Sequence, residues 1–297
     1  MNAKQPTPNL TWDWHFAAFG LRPRLTITWA FGCGLLAAGT AHFGQGLVPI
    51  MIVAAWLVAD PFLGAVATHL VALRELRAQV SAAITPNEPS PAVNLLPYIE
   101  ADSPGGRAAS NLRGFIHNLR SFPGLTGHSL AAIATAIASL IMSVFISPTA
   151  TTIVGAGLLL TTWIAIFNHQ GSAYLVEASG GLQTANAFLI AVTVMGAFSW
   201  KFVLLAAILG LGAAWRPTWL RTGRPGLRLA VIIAWLGITA NLLYARQPVP
   251  AVLVACSAVA DQLNRKDDTA KAAGYLITQV PWLATMALVG LAASQWA

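Results

Sequence analysis

The residue that most invites chemistry is Asp60, which lies midway along an apolar stretch and is followed by Pro61. A carboxylate at membrane depth is costly and normally faces a cavity or a partner. Proline inside a helix removes a backbone hydrogen bond, so a kink able to open a polar pocket is expected beside Asp60. The plainer role is a neutral or hydrogen-bonded carboxyl that fixes the packing of a neighbouring helix. At roughly 100° per residue, Glu75 falls about 60° around the axis from Asp60 and Arg74 about 40° the other way. One face can therefore lead from an Arg74/Glu75 mouth to a deeper Asp60, while His69, about 180° away, points elsewhere.

Other polar groups within or bordering apolar stretches are Asn168, His169, Gln170, Asn186, Asn241 and Gln279. Amides inside a bundle mostly bond across helices. The Asn168-His169-Gln170 run closes an apolar segment beside other loops, where His169 could carry a proton or ligate a metal or pigment. The six histidines show no HxxxH pairing, so a di-metal or haem-bundle site is unsupported. Cys33 and Cys256 fall in apolar segments and read as small hydrophobes. Ser103-Pro104-Gly105-Gly106-Arg107 is neither a Walker loop nor a dinucleotide fingerprint, and no HExxH, CxxC or nucleophile elbow is present. Arg216, Arg221, Arg224 and Arg228 could grip an anionic headgroup or diphosphate, because guanidinium forks suit phosphate. Their competing role is a topology signal resting on lipid headgroups.

The elements that must position these groups follow from composition. Of 297 residues 56% are hydrophobic and only 9% charged, against about 25% charged in an average soluble domain. This excludes a water-soluble fold and implies an all-α, polytopic membrane bundle, a single domain over 1–297. Spans are expected at Leu25–Phe43, Leu47–Leu73, Gly127–Ser147, Thr149–Phe167, Gly181–Ser199, Phe202–Trp215, Leu227–Tyr244, Val249–Leu263 and Tyr275–Trp296. Nine spans with the N-terminus inside and the C-terminus outside put every one of the 17 basic residues except Lys201 and Arg246 on the cytosolic side. The expected location is the cytoplasmic (inner) membrane. The net charge of +7 sits in loops between apolar segments, which argues for lipid headgroups and against nucleic acid as partner. Residues 74–126 form the longest cytosolic interruption. Prolines at 86, 89, 91, 97 and 104 make its first part irregular, and the spacing of Leu112, Phe115, Ile116 and Leu119 predicts an interfacial amphipathic helix over Arg107–Phe122. Trp12, Trp14, Trp29, Trp200, Trp215, Trp219 and Trp296 fall near span ends as headgroup anchors. The first residues, Met1 to Phe19, lack the apolar core of a cleaved signal peptide.

Nine helices, N-in and C-out, a long cytosolic loop after the second and a basic loop after the sixth resemble the UbiA-type intramembrane prenyltransferase superfamily. Leu21-Arg22-Pro23-Arg24-Leu25 looks like that superfamily's "RP" lead into the first span, and Asp268-Thr269-Ala270-Lys271 before Tyr275 is similar in style to its ending. Active members carry an Asn-Asp-x-x-Asp-type cluster at the cytosolic end of the second helix and another aspartate cluster after the sixth. Those carboxylates hold magnesium on a prenyl diphosphate. This chain offers only Asp60 and Glu75 at the first place, and Arg216 to Arg228 contains no acidic residue. The resemblance therefore implies a divergent member, without the usual magnesium site, that holds an isoprenoid-tailed quinone, carotenoid or pigment. Its expected ligand contacts are Asp60, Arg74, Glu75, Asn168, His169, Arg216, Arg221, Arg224 and Asn241. The alternatives are an active prenyltransferase using arginines and Glu75 at the diphosphate, or a structural subunit of a membrane complex. A transporter is disfavoured because no inverted repeat is visible.

Overall fold

The computed structural model describes residues 25–39, 46–83, 123–167, 172–222, 225–263 and 272–295. Among them there are nine helices and no strand. Helix α1 is Leu25–Ala37. Helix α2 comprises Val48–Leu57, a π-helical turn at Val58–Phe62, and Leu63–Ala83. Then follow α3 (Pro123–Ile146), α4 (Pro148–Phe167), α5 (Ser172–Val194), α6 (Trp200–Thr222), α7 (Pro225–Tyr244), α8 (Pro248–Leu263) and α9 (Ala272–Ala293).

Four of these helices open on a proline, where the missing N–H costs nothing and the fixed φ is already helical. The described junctions α3–α4, α5–α6 and α7–α8 are short and self-capped. Ser147 Oγ accepts the Ala150 amide at 3.0 Å between α3 and α4. Both α5 and α7 end in a Schellman pattern. The Ala197 amide reaches the Val192 carbonyl past Gly196 at φ 75°, and the Gln247 amide reaches the Leu242 carbonyl past Arg246 at φ 58°.

Helix α5 is the axis of the bundle, packed on α1, α2, α4 and α6, with Ala187, Phe188, Ile190, Ala191 and Val192 buried. Helix α1 wedges between α5 and α9, and α6, α7, α8 and α9 follow one another as neighbours. The α5–α6 contact is made backbone to backbone. A Cβ on Gly181 would sit 2.4 Å from the Gly210 carbonyl oxygen, and a Cβ on Gly210 would lie 2.8 Å from that of Gly181.

Among the described residues four helical stretches are long and apolar enough to cross a membrane: Val48–Leu76, Thr126–Ile146, Pro148–Ile166 and Pro225–Tyr244. Shorter apolar helices occupy Thr26–Ala37, Pro248–Gln262 and Val280–Ala293. Large aliphatic and aromatic side chains face outward on α3 (Ile133, Ile137, Ile141), α4 (Leu159, Trp163) and α7 (Ile233, Leu236). Apolar exposure on this scale requires lipid, not water, as the surrounding solvent. The chain is a helical membrane protein.

The boundaries differ from the sequence expectation where polar residues interrupt the apolar runs. Helix α5 begins at Ser172, well before Gly181, because Glu177 and Ser179 are buried in the bundle instead of forming a loop. Helix α6 continues past Trp215 and through Pro217 to Thr222, drawing Arg216 and Trp219 into the interior. Trp219 is therefore a core side chain and no headgroup anchor, whereas Trp200 is exposed as expected. Cys33 is buried, but Cys256 is exposed. The interfacial helix expected over Arg107–Phe122 lies outside the described residues.

Candidate polar sites inside the bundle

Pro61 does perturb its helix, and the perturbation is a π-turn. Val58–Phe62 widens, with the Leu63 amide directed at the Val58 and Asp60 carbonyls. Such turns absorb a residue that the α-ladder cannot bond. Within the turn Asp60 is completely buried, and its carboxylate accepts a hydrogen bond from Thr28 Oγ1 of α1. Trp56 Nε1 in turn donates to Thr28 Oγ1 at 3.2 Å. One turn further on, Gln183 Nε2 of α5 reaches the Leu63 carbonyl at 3.4 Å. Asp60 thus ties α2 to α1 at mid-depth.

The Arg74/Glu75 mouth lies about 21 Å further along α2, at 1.5 Å per residue. Glu75 is exposed, and Arg74 is half-buried with its Nη1 buried and without a partner among the described residues. Two turns before them, His69 faces α3, where its Nδ1 lies 3.0 Å from Nδ1 of His128. The ring centroids are 5.3 Å apart with an interplanar angle of 47°. With the nitrogens pointing at one another, one ring donates N–H and the other accepts on its lone pair, a helix-to-helix hydrogen bond. Their 59-residue separation explains why no local motif announced the pair.

The second polar site joins α6 and α8. Arg216 and Asp261 form a bidentate ion pair, with Nη2 to Oδ1 at 2.6 Å and Nε to Oδ2 at 3.1 Å, and side chains only 1% and 3% exposed. Next to it, Arg228 Nε donates to Gln262 Oε1 at 3.0 Å, linking α7 to α8. Arg216, expected as an open cation for a headgroup, is instead engaged by a carboxylate that sequence reasoning passed over. The signal was present. Asp261 is the acidic residue near the end of the apolar segment Val249–Leu263, on the same side of the membrane as Arg216 if consecutive helices alternate direction.

Arg221 lies in the last turn of α6 and Asn241 is half-buried in the last turn of α7. Asn168, His169 and Arg224 lie outside the described residues. Asn186 is buried, its amide lodged where a Cβ on Gly157 would be, so it fills the α4–α5 contact. Among the described residues no group of three or more His, Cys, Asp or Glu converges in a way that could hold a metal ion. A surface groove of about 430 Å³ between α2 and α3 is lined by Pro49, Ile50, Val53, Ala54, Leu57 and Met142, entirely apolar.

No known family model matches the chain, and neither a characterised protein nor a solved structure matches it.

Proposed function

We propose that this chain is a UbiA-like, nine-span membrane protein that holds an isoprenoid-tailed molecule, such as a quinone, carotenoid or pigment, and does not transfer prenyl groups with magnesium. Nine helices among the described residues, with the longest sequence interval between consecutive ones falling after the second, and Arg216, Arg221, Arg224 and Arg228 grouped near the end of the sixth and the start of the seventh, support the topology. With N-in orientation those arginines face the cytoplasm, in keeping with an inner-membrane location.

The observation that carries the non-transferase reading is where the carboxylates are spent. A prenyl diphosphate needs several hard oxygens at the cytosolic ends of α2 and α6 to grip its magnesium. At the first place Asp60 is buried in a π-turn and bonded to Thr28. At the second, Asp261 is neutralised by Arg216. Neither Asp60 nor Asp261 is presented to a diphosphate, which leaves the exposed Glu75 as a single described carboxylate at the cytosolic end of α2.

Organic extraction of the purified protein tests the reading. An isoprenoid quinone, carotenoid or pigment enriched over the bulk membrane lipid supports it, and its absence from repeated preparations removes it. Turnover of any prenyl diphosphate that is lost on Arg221→Ala or Glu75→Gln would favour the transferase instead.

A further inference from the structure

The half of the bundle formed by α6 to α9 is rich in buried donors without acceptors. The indole N–H groups of Trp219, Trp235 and Trp282 and the Nε2 of Gln262 are all buried and lack a hydrogen-bond partner among the described residues. The three tryptophans are 1%, 2% and 1% exposed. A buried N–H without a partner costs about 1–3 kcal/mol. Inside a bilayer no bulk water can relieve that cost.

Two of these donors are adjacent. The Trp235 and Trp282 rings meet edge to face with centroids 5.1 Å apart. Trp282 also rests in the hollow left by Gly212 of α6, since a Cβ there would stand 2.0 Å from the indole Cη2. Gly212 is ten residues before the end of α6, and Trp235 and Trp282 are each ten residues after the start of α7 and α9. The cluster is therefore about 15 Å deep, near the middle of a bilayer. Trp219 lies two turns further along α6, on the same face as Gly212. Tryptophan and amide N–H groups recognise a hydrogen-bond acceptor, and flat indoles recognise a flat ring.

We infer that the α6–α9 half receives the carbonyl-bearing ring of a quinone-type molecule, with the Trp235 and Trp282 N–H groups donating to its carbonyl oxygens. Trp282 turns out of the Gly212 hollow to admit the ring, and the glycine leaves the space. This rests on the isoprenoid-binding reading and deepens it, naming the head-group chemistry and the helices that meet it. The site is distinct from the Asp60 layer, which offers a carboxylate already bonded to Thr28.

The test uses the full-length protein labelled with ¹⁵N-tryptophan in detergent, its 11 indole signals assigned by Trp→Phe variants. Titration with a short-chain benzoquinone shifts the Trp235 and Trp282 signals downfield and saturably, and leaves those of the exposed Trp163 and Trp200 in place. Trp235→Phe and Trp282→Phe each weaken binding about tenfold, about the loss expected for one hydrogen bond with its indole contact. Unmoved Trp235 and Trp282 signals at quinone saturation overturn the inference even if the variants fold poorly. If an isoprenoid copurifies while these signals stay still, the broader reading stands and this one falls. Saturable shifts without any copurifying isoprenoid would give the reverse.

Discussion

Removing Asp261 should destabilise the protein far more than removing both members of its ion pair. The pair is almost completely withdrawn from solvent, with an Nη2–Oδ1 distance of 2.6 Å and side chains 1% and 3% exposed. A guanidinium cannot shed its charge, whereas a lone buried carboxylate can neutralise by taking a proton. Breaking a buried pair costs about 3–5 kcal/mol, while replacing it with apolar residues of similar volume is often neutral or stabilising. Asp261→Ala should therefore lose about 3–5 kcal/mol and Arg216→Met clearly less. Arg216→Met combined with Asp261→Ala should recover most of that loss, a large favourable coupling in a double-mutant cycle. Reversible unfolding in mixed micelles measures all four proteins. At 1.4 kcal/mol per tenfold, the Asp261→Ala unfolding constant rises by roughly two to three orders of magnitude. The reasoning is refuted if the two single variants lose equal and small amounts, or if the double variant falls by their sum.

Three further outcomes follow from named contacts. Gly181→Ala places a Cβ 2.4 Å from the Gly210 carbonyl oxygen and should already cost about 1–3 kcal/mol by overpacking, with Gly181→Val costing at least as much; an alanine variant of unchanged stability would disprove the backbone contact. Thr28→Val keeps the shape but withdraws the hydroxyl bonded to Asp60, costing about 1–3 kcal/mol. That loss should shrink in an Asp60→Leu background, as unfolding of the four-member cycle would read. His69→Leu and His128→Leu should show a coupling of about 1 kcal/mol for their shared hydrogen bond, and strictly additive losses would mean the rings do not bond.

Much of the architecture could be read from the chain. Apolar runs long enough to cross a bilayer announced helices α2, α3, α4 and α7. The reading failed where polarity was mistaken for a loop. Glu177 and Ser179 made the start of α5 look like a connection, and Arg216-Pro217 looked like the end of α6, because a one-dimensional hydropathy profile cannot show whether a polar side chain has a partner on another helix.

Asp60 could be singled out because a charge within an apolar segment stands out by itself, and Pro61 beside it foretold a local break. Its role could not, since that depends on Thr28, which lies on another helix. The same holds for Arg216 with Asp261, His69 with His128, and Trp282 in the hollow of Gly212. Local sequence sets where a helix forms and which residues are too costly to leave unpaired in lipid. Which partner each costly residue meets is decided only when helices distant in sequence pack side by side, because hydrogen bonds and ion pairs act over about 3 Å and carry no mark in the spacing of the chain.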